Sequence, residues 1–331
     1  MPLSIGVDAY NLAADHRGMG RYVRRILNDW RSEPDLNVTL IVKNQSDASA
    51  LQQEFPFAIA TTSKNQDAVW FPWNSMRFAP NAHSVLTLHD AFAFTLPHRN
   101  WIARWREQSP IRNGIKHANA LASNSHWTAE EAARVFNIDK TRFTVIPPVP
   151  DEFWKPVESA AQDPYILVVA GPDERKNLQT LFTAFERAFP EGSVTLKVAG
   201  TLNEDDEHAL SVARFRHERL KPTDEELRAL YSGALALAIP STYEGYGIMA
   251  VEAMSCGAPV IASNASALPE SCDNAALLVP PKDIQAWSHA LARIVSDADL
   301  RNTLRAQSLE RAERIDRKSP ARETLKLLTP K

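Results

Sequence analysis

Apolar residues along this chain fall in short continuous runs, separated by longer stretches in which they recur at helical spacing. In the first half, LSIGVDA (3–9), VTLIVK (38–43), SVLTLHD (84–90), ALASNS (120–125) and FTVIPP (143–148) predict buried strands, with helices expected over 20–30, 99–117 and 127–136. That alternation predicts a parallel sheet with crossover helices. The rhythm breaks at 147–164, PPVPDEFWKPVESAAQDP, a proline-rich polar stretch expected to be a linker. It then restarts, with strands predicted at 165–171, 194–200, 214–220, 234–240, 259–263 and 275–279. Helices are expected at 176–188, 204–213 and 246–256, with another opened by PTDEEL. The reading is α/β, two doubly wound Rossmann-like lobes. Because ligands bind beyond the carboxyl ends of the strands in open α/β sheets, the lobes are expected to face a central cleft.

Composition narrows the function classes. A chain of 331 residues with 44% hydrophobic, 23% charged and 8% aromatic residues fits an ordinary globular protein of two lobes. Its 37 basic and 40 acidic residues leave a net charge of -3, so no overall polycation is present and nucleic acid is not an expected partner. Cys256 and Cys272 are sixteen apart with no CxxC pair, which argues against a zinc site or disulfide frame and leaves Cys256 as a small buried filler. No stretch approaches the ~20 apolar residues of a membrane span, and the start MPLSIGVDAY lacks a basic segment, so a cytoplasmic location is expected.

Two loop-to-helix junctions carry candidate chemistry. In GPDERKNLQTLFTAF, Arg175 and Lys176 fall at a predicted helix N-terminus, where the helix dipole disfavours cations. A bound phosphate would make dipole and cations act together; alternatively, two solvated side chains tolerate the position. In PSTYEGYGIMAVEAMSCGAPV (240–260), Gly245 and Gly247 allow backbone N–H groups to approach an anion at a helix predicted to start near Tyr246. Glu244 precedes that helix, as a dipole-favoured acid or as an acceptor for sugar hydroxyls. Glu252 lies inside it among Ala250, Val251, Ala253 and Met254, where a mostly buried carboxylate needs a partner. His89, at a strand end, bonds either to backbone or to a ligand.

These segments resemble the retaining glycosyltransferases of family 4, whose E-x7-E signature matches Glu244 and Glu252. The resemblance extends to GVDAYNLAADHRGMGRYVRRIL (6–27), VLTLHDAFAF (85–94), ASNSHWTAEEAARVFNIDKTRFTVIPP (122–148), RKN (175–177), PTDEELRALYSGALALAIPSTYEGYG and APVIASNASALPE, in the family's order. It implies the GT-B fold, with an acceptor-side domain over 1–155, a nucleotide-sugar domain over 156–315 and a closing helix over 316–331 that crosses back to the first. By resemblance, Lys176 and Arg175 neutralise the leaving diphosphate, and Glu244 contacts the donor sugar. The backbone at Tyr246, Gly247 and Ile248 holds a phosphate and Glu252 binds the ribose. Gly18 and Gly20 approach the diphosphate, His89 lies against the donor sugar, and Asp90 is beside it towards the acceptor. The family chemistry needs neither a metal nor a cofactor; the acidic run 204–207 is read as helix-start acids. The sequence departs from the family's pattern where Pro172 follows Gly171, at Pro148-Val149, and in lacking an aromatic residue before the last helix.

The resemblance further implies transfer of a hexose, with GDP-mannose the first candidate donor, to a saccharide or lipid-linked acceptor in polysaccharide assembly. The aromatics of VWFPWNSMRFAP (69–80) and WIARW (101–105) either stack on sugar rings or pack a core. Arg21, Arg24, Arg25, Arg104, Arg106, Arg112 and Lys116 form either a peripheral membrane-contact face or a solvated one. A sugar-nucleotide epimerase or phosphorylase, and an inactive binding protein, are the alternatives. A nicotinamide-binding fingerprint fails on spacing, because Val23 occupies the third glycine position after Gly18 and Gly20.

Overall fold

The computed structural model describes residues 2–16, 18–95, 100–158, 163–317 and 319–329. The predicted helix start at 99 and residues 159–162 of the predicted linker lie outside the described residues. Two compact units divide the chain, one comprising 1–149 with 316–331 and the other 150–315.

In the first unit the described strands are β1 (Leu3–Asp8), β2 (Leu36–Ile41), β3 (Ile59–Thr61), β4 (Ala68–Phe71), β5 (His83–Leu88), β6 (Ala120–Ser123) and β7 (Phe143–Val145). They form a fully parallel sheet in the order β3-β2-β1-β4-β5-β6-β7. Helices α1 (Gly18–Trp30), α2 (Gln45–Glu54), α3 (Trp101–His117) and α4 (His126–Phe136) make longer crossovers. Parallel strands covered on both faces must be apolar throughout, and β4 is buried at every position. Three of the four aromatics of 69–80 are accordingly core: Trp70, Phe71 and Trp73 are buried, Phe78 is half-buried, and Trp70 packs against Trp30 with ring centroids 5.6 Å apart. The sugar-stacking alternative is thereby overturned for these three side chains, because β4 sits between β1 and β5 rather than at an edge.

The second unit repeats the scheme. It contains β8 (Tyr165–Ala170), α5 (Leu178–Ala188), β9 (Thr195–Gly200), α6 (Glu204–Ser211), β10 (His217–Leu220), α7 (Asp224–Gly233), β11 (Ala236–Ile239), α8 (Ile248–Ser255), β12 (Val260–Ser263), α9 (Leu268–Cys272), β13 (Ala276–Val279), α10 (Ile284–Ser296) and α11 (Ala298–Glu313). The strand order is β10-β9-β8-β11-β12-β13, again parallel throughout. Thr223 and Glu226 form a capping box at α7, the PTDEEL signal seen in the sequence. Asn203 caps α6, so Glu204, Asp205, Asp206 and Glu207 occupy its first turn, where the dipole favours acids.

The last helix, α12 (Ser319–Leu328), belongs to the first unit. It buries Ala321 and Leu328 in that unit's core. Trp30 Nε1 donates to the Ala321 carbonyl at 3.0 Å, and His83 Nε2 bonds the Leu327 carbonyl at 2.8 Å. These two donors fix the helix without an aromatic residue ahead of it.

Candidate functional site

Strand order reverses between β8 and β11, and the loops after those two strands flank the switch point, the usual ligand position in open α/β sheets. After β8 the chain makes a 3-10 turn over Glu174–Lys176 and then Asn177 in the left-handed region, φ 53°. Asparagine tolerates that conformation, and this one is held: Asn177 Nδ2 donates to the carbonyls of Pro240 at 2.9 Å and Pro281 at 2.7 Å. Thr180 Oγ1 donates to Asn177 Oδ1 at 2.8 Å, and the Thr242 N–H donates to the Arg175 carbonyl at 2.8 Å. The two loops are therefore sewn together across the switch point. Helix α5 begins after Asn177, so Arg175 and Lys176 sit in the turn that precedes it.

Lys176 is turned inward by this turn, and its Nζ donates to Glu244 Oε1 at 2.8 Å. The two side chains are 68 positions apart in sequence and nearly enclosed, with Lys176 9% and Glu244 7% exposed. Glu244 N–H donates to Ser266 Oγ at 2.8 Å. Burial alone would push the Glu244 carboxyl up; the charges of Lys176 and Arg175, with hydrogen bonds from Lys176 and Ser241, hold it below the ordinary glutamate value. A depressed folded-state pKa stabilises the fold at pH values above the unfolded pKa, and that contribution is lost as pH falls through the folded value. Wild-type thermal stability is therefore expected to decline more steeply below pH ~4.5 than that of Glu244→Gln. A melting series from pH 3 to 7 on both proteins checks this; parallel profiles would contradict it.

Gly247 lies on the other side of Glu244, with φ 88°, and α8 starts at the next residue. This places the start of the helix two residues beyond Tyr246, because the left-handed glycine cannot be part of it. The N–H groups of Tyr246 and Gly247, which lie before the helix, and of Ile248, its first residue, are the candidate donor set for an anion. The Tyr246 phenol is not part of that set: it is buried, pushed up to about 12 by that burial, and faces Arg311. Glu252 is one turn inside α8 and buried, between the fully enclosed Val251 and Ala253. Cys256 ends the helix, and burial pushes its thiol up to about 12, which suits a filler rather than a nucleophile.

His89, Asp90, Gly18 and Gly20 belong to the first unit. His89 follows β5 and is buried; its Nε2 lies 2.8 Å from the Pro72 carbonyl, and its ring meets Tyr22 edge-on at 5.2 Å. A carbonyl only accepts, so Nε2 carries the proton and Nδ1 is left as an acceptor. Burial lowers the imidazole pKa, outweighing the Pro72 bond and the charges of Asp90 and Asp15, and the ring is neutral near pH 7. Asp90 Oδ1 accepts the Phe92 N–H at 3.2 Å. Gly18 opens α1, and a Cβ there would meet nothing within 4 Å. At Gly20 a Cβ would fall on the Asp15 carbonyl, so only glycine permits this contact. Arg24, which the sequence placed on a basic face, instead ties down the loop before α1. It donates to the carbonyls of Asp15 and Leu12 and pairs with Glu54 at 2.6 Å. Arg25 likewise pairs with Asp29.

The structure thus gathers Arg175, Lys176, Glu244, Tyr246, Gly247, Ile248 and Glu252 in one unit and places Gly18, Gly20, His89 and Asp90 in the other. Thr242 and Ser266 were not singled out from sequence, and Asn177, quoted within RKN without a role, fell inside the helix expected over 176–188, which starts only at Leu178. A cavity of about 770 Å³ lined by His83, Asn113, His117 and Asn119 opens beside the start of β5. That is the amino end of the sheet, opposite the edge that bears His89.

The profile described as "Glycosyl transferases group 1" matches residues 150–311. "O-antigen chain mannosyltransferase B" of Escherichia coli is 30% identical over 254 residues, covering 70% of this chain and 66% of that protein, just under two thirds of its length. "O-antigen chain mannosyltransferase RfbU" of Salmonella typhimurium is 23% identical over 87% of this chain and 90% of its own. Among solved structures, the sucrose-phosphate synthase of Thermosynechococcus elongatus superposes with a TM-score of 0.77 at 19% identity, covering 98% of each chain. WaaG, a glycosyltransferase involved in lipopolysaccharide biosynthesis, gives 0.72 at 15% identity, covering 99% of this chain and all of its own. The profile on the second unit, the two O-antigen relatives and the GT-B fold agree in likening this chain to the group 1 glycosyl transferases.

Proposed function

We propose that the chain is a retaining hexosyltransferase of cell-surface polysaccharide synthesis that moves mannose or a similar hexose from a nucleotide-diphosphate sugar to a saccharide or lipid-linked acceptor. GDP-mannose is the first candidate donor, and the mannosyltransferase relatives support it. The observation that carries the reading is the enclosed Lys176–Glu244 pair at the switch point of the second unit. A buried ion pair is a poor stabilising device compared with apolar packing. It is a good receiving device: a diphosphate takes Lys176, and the freed Glu244 carboxylate accepts hydrogen bonds from sugar hydroxyls.

In the proposed reaction the bond from the anomeric carbon to the diphosphate oxygen breaks, and the acceptor oxygen bonds that carbon from the same face. The acceptor's proton passes to the departing phosphate oxygen. Lys176, Arg175 and the N–H groups at Gly247 and Ile248 stabilise the charge that develops on the leaving group. Glu252 accepts from the ribose hydroxyls. His89, neutral with Nδ1 free of a proton, accepts from a donor-sugar hydroxyl, and Asp90 is assigned to the acceptor side. The scheme has no role for a metal or a cofactor.

Thermal stabilisation by GDP-, UDP- and dTDP-sugars tests the donor, since a ligand at 100 times its Kd adds about 2.7 kcal/mol. GDP-mannose is expected to give the largest shift, and nuclear magnetic resonance of the product is expected to show the donor's anomeric configuration. Consumption of donor without acceptor would indicate an epimerase, and phosphate-dependent turnover a phosphorylase. Absence of stabilisation by every donor would favour a binding protein.

Peripheral membrane contact is assigned to α3. Trp101, Ile102 and Trp105 are exposed by 76%, 51% and 65%, and the same helix bears exposed Arg104, Arg106, Arg112 and Lys116. No described helix is long and apolar enough to cross a membrane. Exposed tryptophans among cations suit an anionic lipid surface. The full chain is expected to sediment with phosphatidylglycerol vesicles and Trp101→Ser/Trp105→Ser to remain in the supernatant; equal sedimentation would contradict the assignment.

A further inference from the structure

The first sheet also has a switch point, between β1 and β4, and a cluster there is not used by the mechanism above. Asp8 ends β1 with no exposed surface. Its Oδ1 accepts the Tyr10 N–H at 3.1 Å, while Oδ2 is buried without a hydrogen-bond partner. The charges of three cations, Arg77, Lys43 and Lys64, on the loops after β4, β2 and β3, act on it and oppose the effect of burial. All three are exposed, and none forms an ion pair among the described residues. They are organised by two rings. Lys43 Nζ stands 6.0 Å from the Tyr10 ring, Lys64 Nζ 4.3 Å from the Phe78 ring, and the two rings are 6.0 Å apart. Arg77 Nη2 donates to Asn11 Oδ1 at 3.2 Å.

Three unpaired cations at the carboxyl edge of a parallel sheet form a site of positive potential where such folds bind ligands. We propose that this cluster is a phosphate subsite for the acceptor: Lys43, Lys64 and Arg77 hold a phosphate or diphosphate group of the acceptor, and the Tyr10–Phe78 pair supplies an apolar wall beside it. This rests on the transferase reading and adds a chemical class to the acceptor. Asp8, although burial has pushed it up to about 6, is largely ionised near neutral pH and so weakens anion binding there. Its protonation removes that opposing charge. Anion affinity at this point is therefore expected to rise as pH falls through about 6.

The test is calorimetry on the full chain, wild type against Lys64→Ala/Arg77→Ala, whose replaced side chains are exposed and outside the core. The probes are mannose 1-phosphate, phosphatidylcholine vesicles carrying a prenyl diphosphate, and GDP. The expected result is about tenfold weaker binding of one or both phosphate probes, with GDP affinity unchanged. Loss on the sugar phosphate alone assigns a soluble source and loss on the vesicles a lipid-linked one. If GDP fails to bind wild type while the phosphate probes still depend on the cluster, the donor assignment fails and the subsite stands. Phosphate binding that is unchanged in the variant, or GDP binding that falls with it, overturns the subsite. Sulfate, whose charge is constant over the range, reads the pH arm: tighter binding to wild type at pH 5.5 than at pH 7.5, and a flat profile in Asp8→Asn. A flat wild-type profile, or one unaltered by Asp8→Asn, overturns the role given to Asp8.

Discussion

Lys176→Ala is expected to lower kcat/KM for sugar transfer by about a thousandfold, the scale seen when one preorganised charge-stabilising donor is removed. It is also expected to destabilise the protein by about 3 kcal/mol, because Glu244 is left buried without its cation. The two effects separate in a second variant. Lys176→Ala/Glu244→Gln removes the stranded charge, so most of the stability returns while activity does not. Steady-state kinetics and chemical denaturation of the two variants check this. A double variant that recovers activity would mean that Lys176 serves the fold alone.

Gly247→Ala is the second large expected effect. The residue has φ 88°, and an added Cβ would lie 2.7 Å from Leu268 Cδ2. A left-handed non-glycine residue costs of order 1–3 kcal/mol, and here relaxation would displace the start of α8. The N–H groups proposed for the diphosphate would move with it, and so would Glu244, whose Cβ is 3.9 Å from that added atom. The expected outcome is donor KM raised at least about tenfold, together with a lower melting temperature. Gly257→Ala is the control: it has φ 76°, but stands at the far end of the same helix. It should reproduce the destabilisation without the change in donor KM. Equal kinetic effects of the two substitutions would indicate that Gly247 acts only on stability.

Local signals in the sequence predicted much of the fold. The alternation of apolar runs and amphipathic stretches located most strands of both units, and the capping pattern at Thr223 located α7. Short elements were harder: β3 has three residues with none buried, and nothing in its periodicity distinguishes it from a loop. The aromatic stretch at β4 was ambiguous because burial of Trp70 and Phe71 depends on a central place in the sheet, which is a long-range property. Gly247 and Asn177 were visible as residues, but their left-handed conformations delay α8 and α5 by one or two positions relative to the apolar pattern.

The site shows the same division. Glu252 was legible as a mostly buried carboxylate in need of a partner, and Glu244 as a helix-start acid or an acceptor for sugar hydroxyls. Lys176 was given the leaving diphosphate through resemblance, and its pairing with Glu244 was not predicted. The direct Lys176–Glu244 contact depends on two loops tied by Asn177 and Thr242, and no local pattern encodes those cross-loop bonds. Asp8 was read only as part of a buried strand. What distinguishes it is an unpartnered buried oxygen under the charges of three cations from other loops.

The central claim is that the switch point of the second unit holds the diphosphate of a nucleotide-sugar through Lys176. Calorimetric titration of wild type and Lys176→Ala with GDP and with guanosine tests it most directly. GDP affinity is expected to be at least about tenfold weaker in the variant, with guanosine affinity unchanged, because only the phosphates meet the lysine. Equal GDP affinity in the two folded proteins would contradict it.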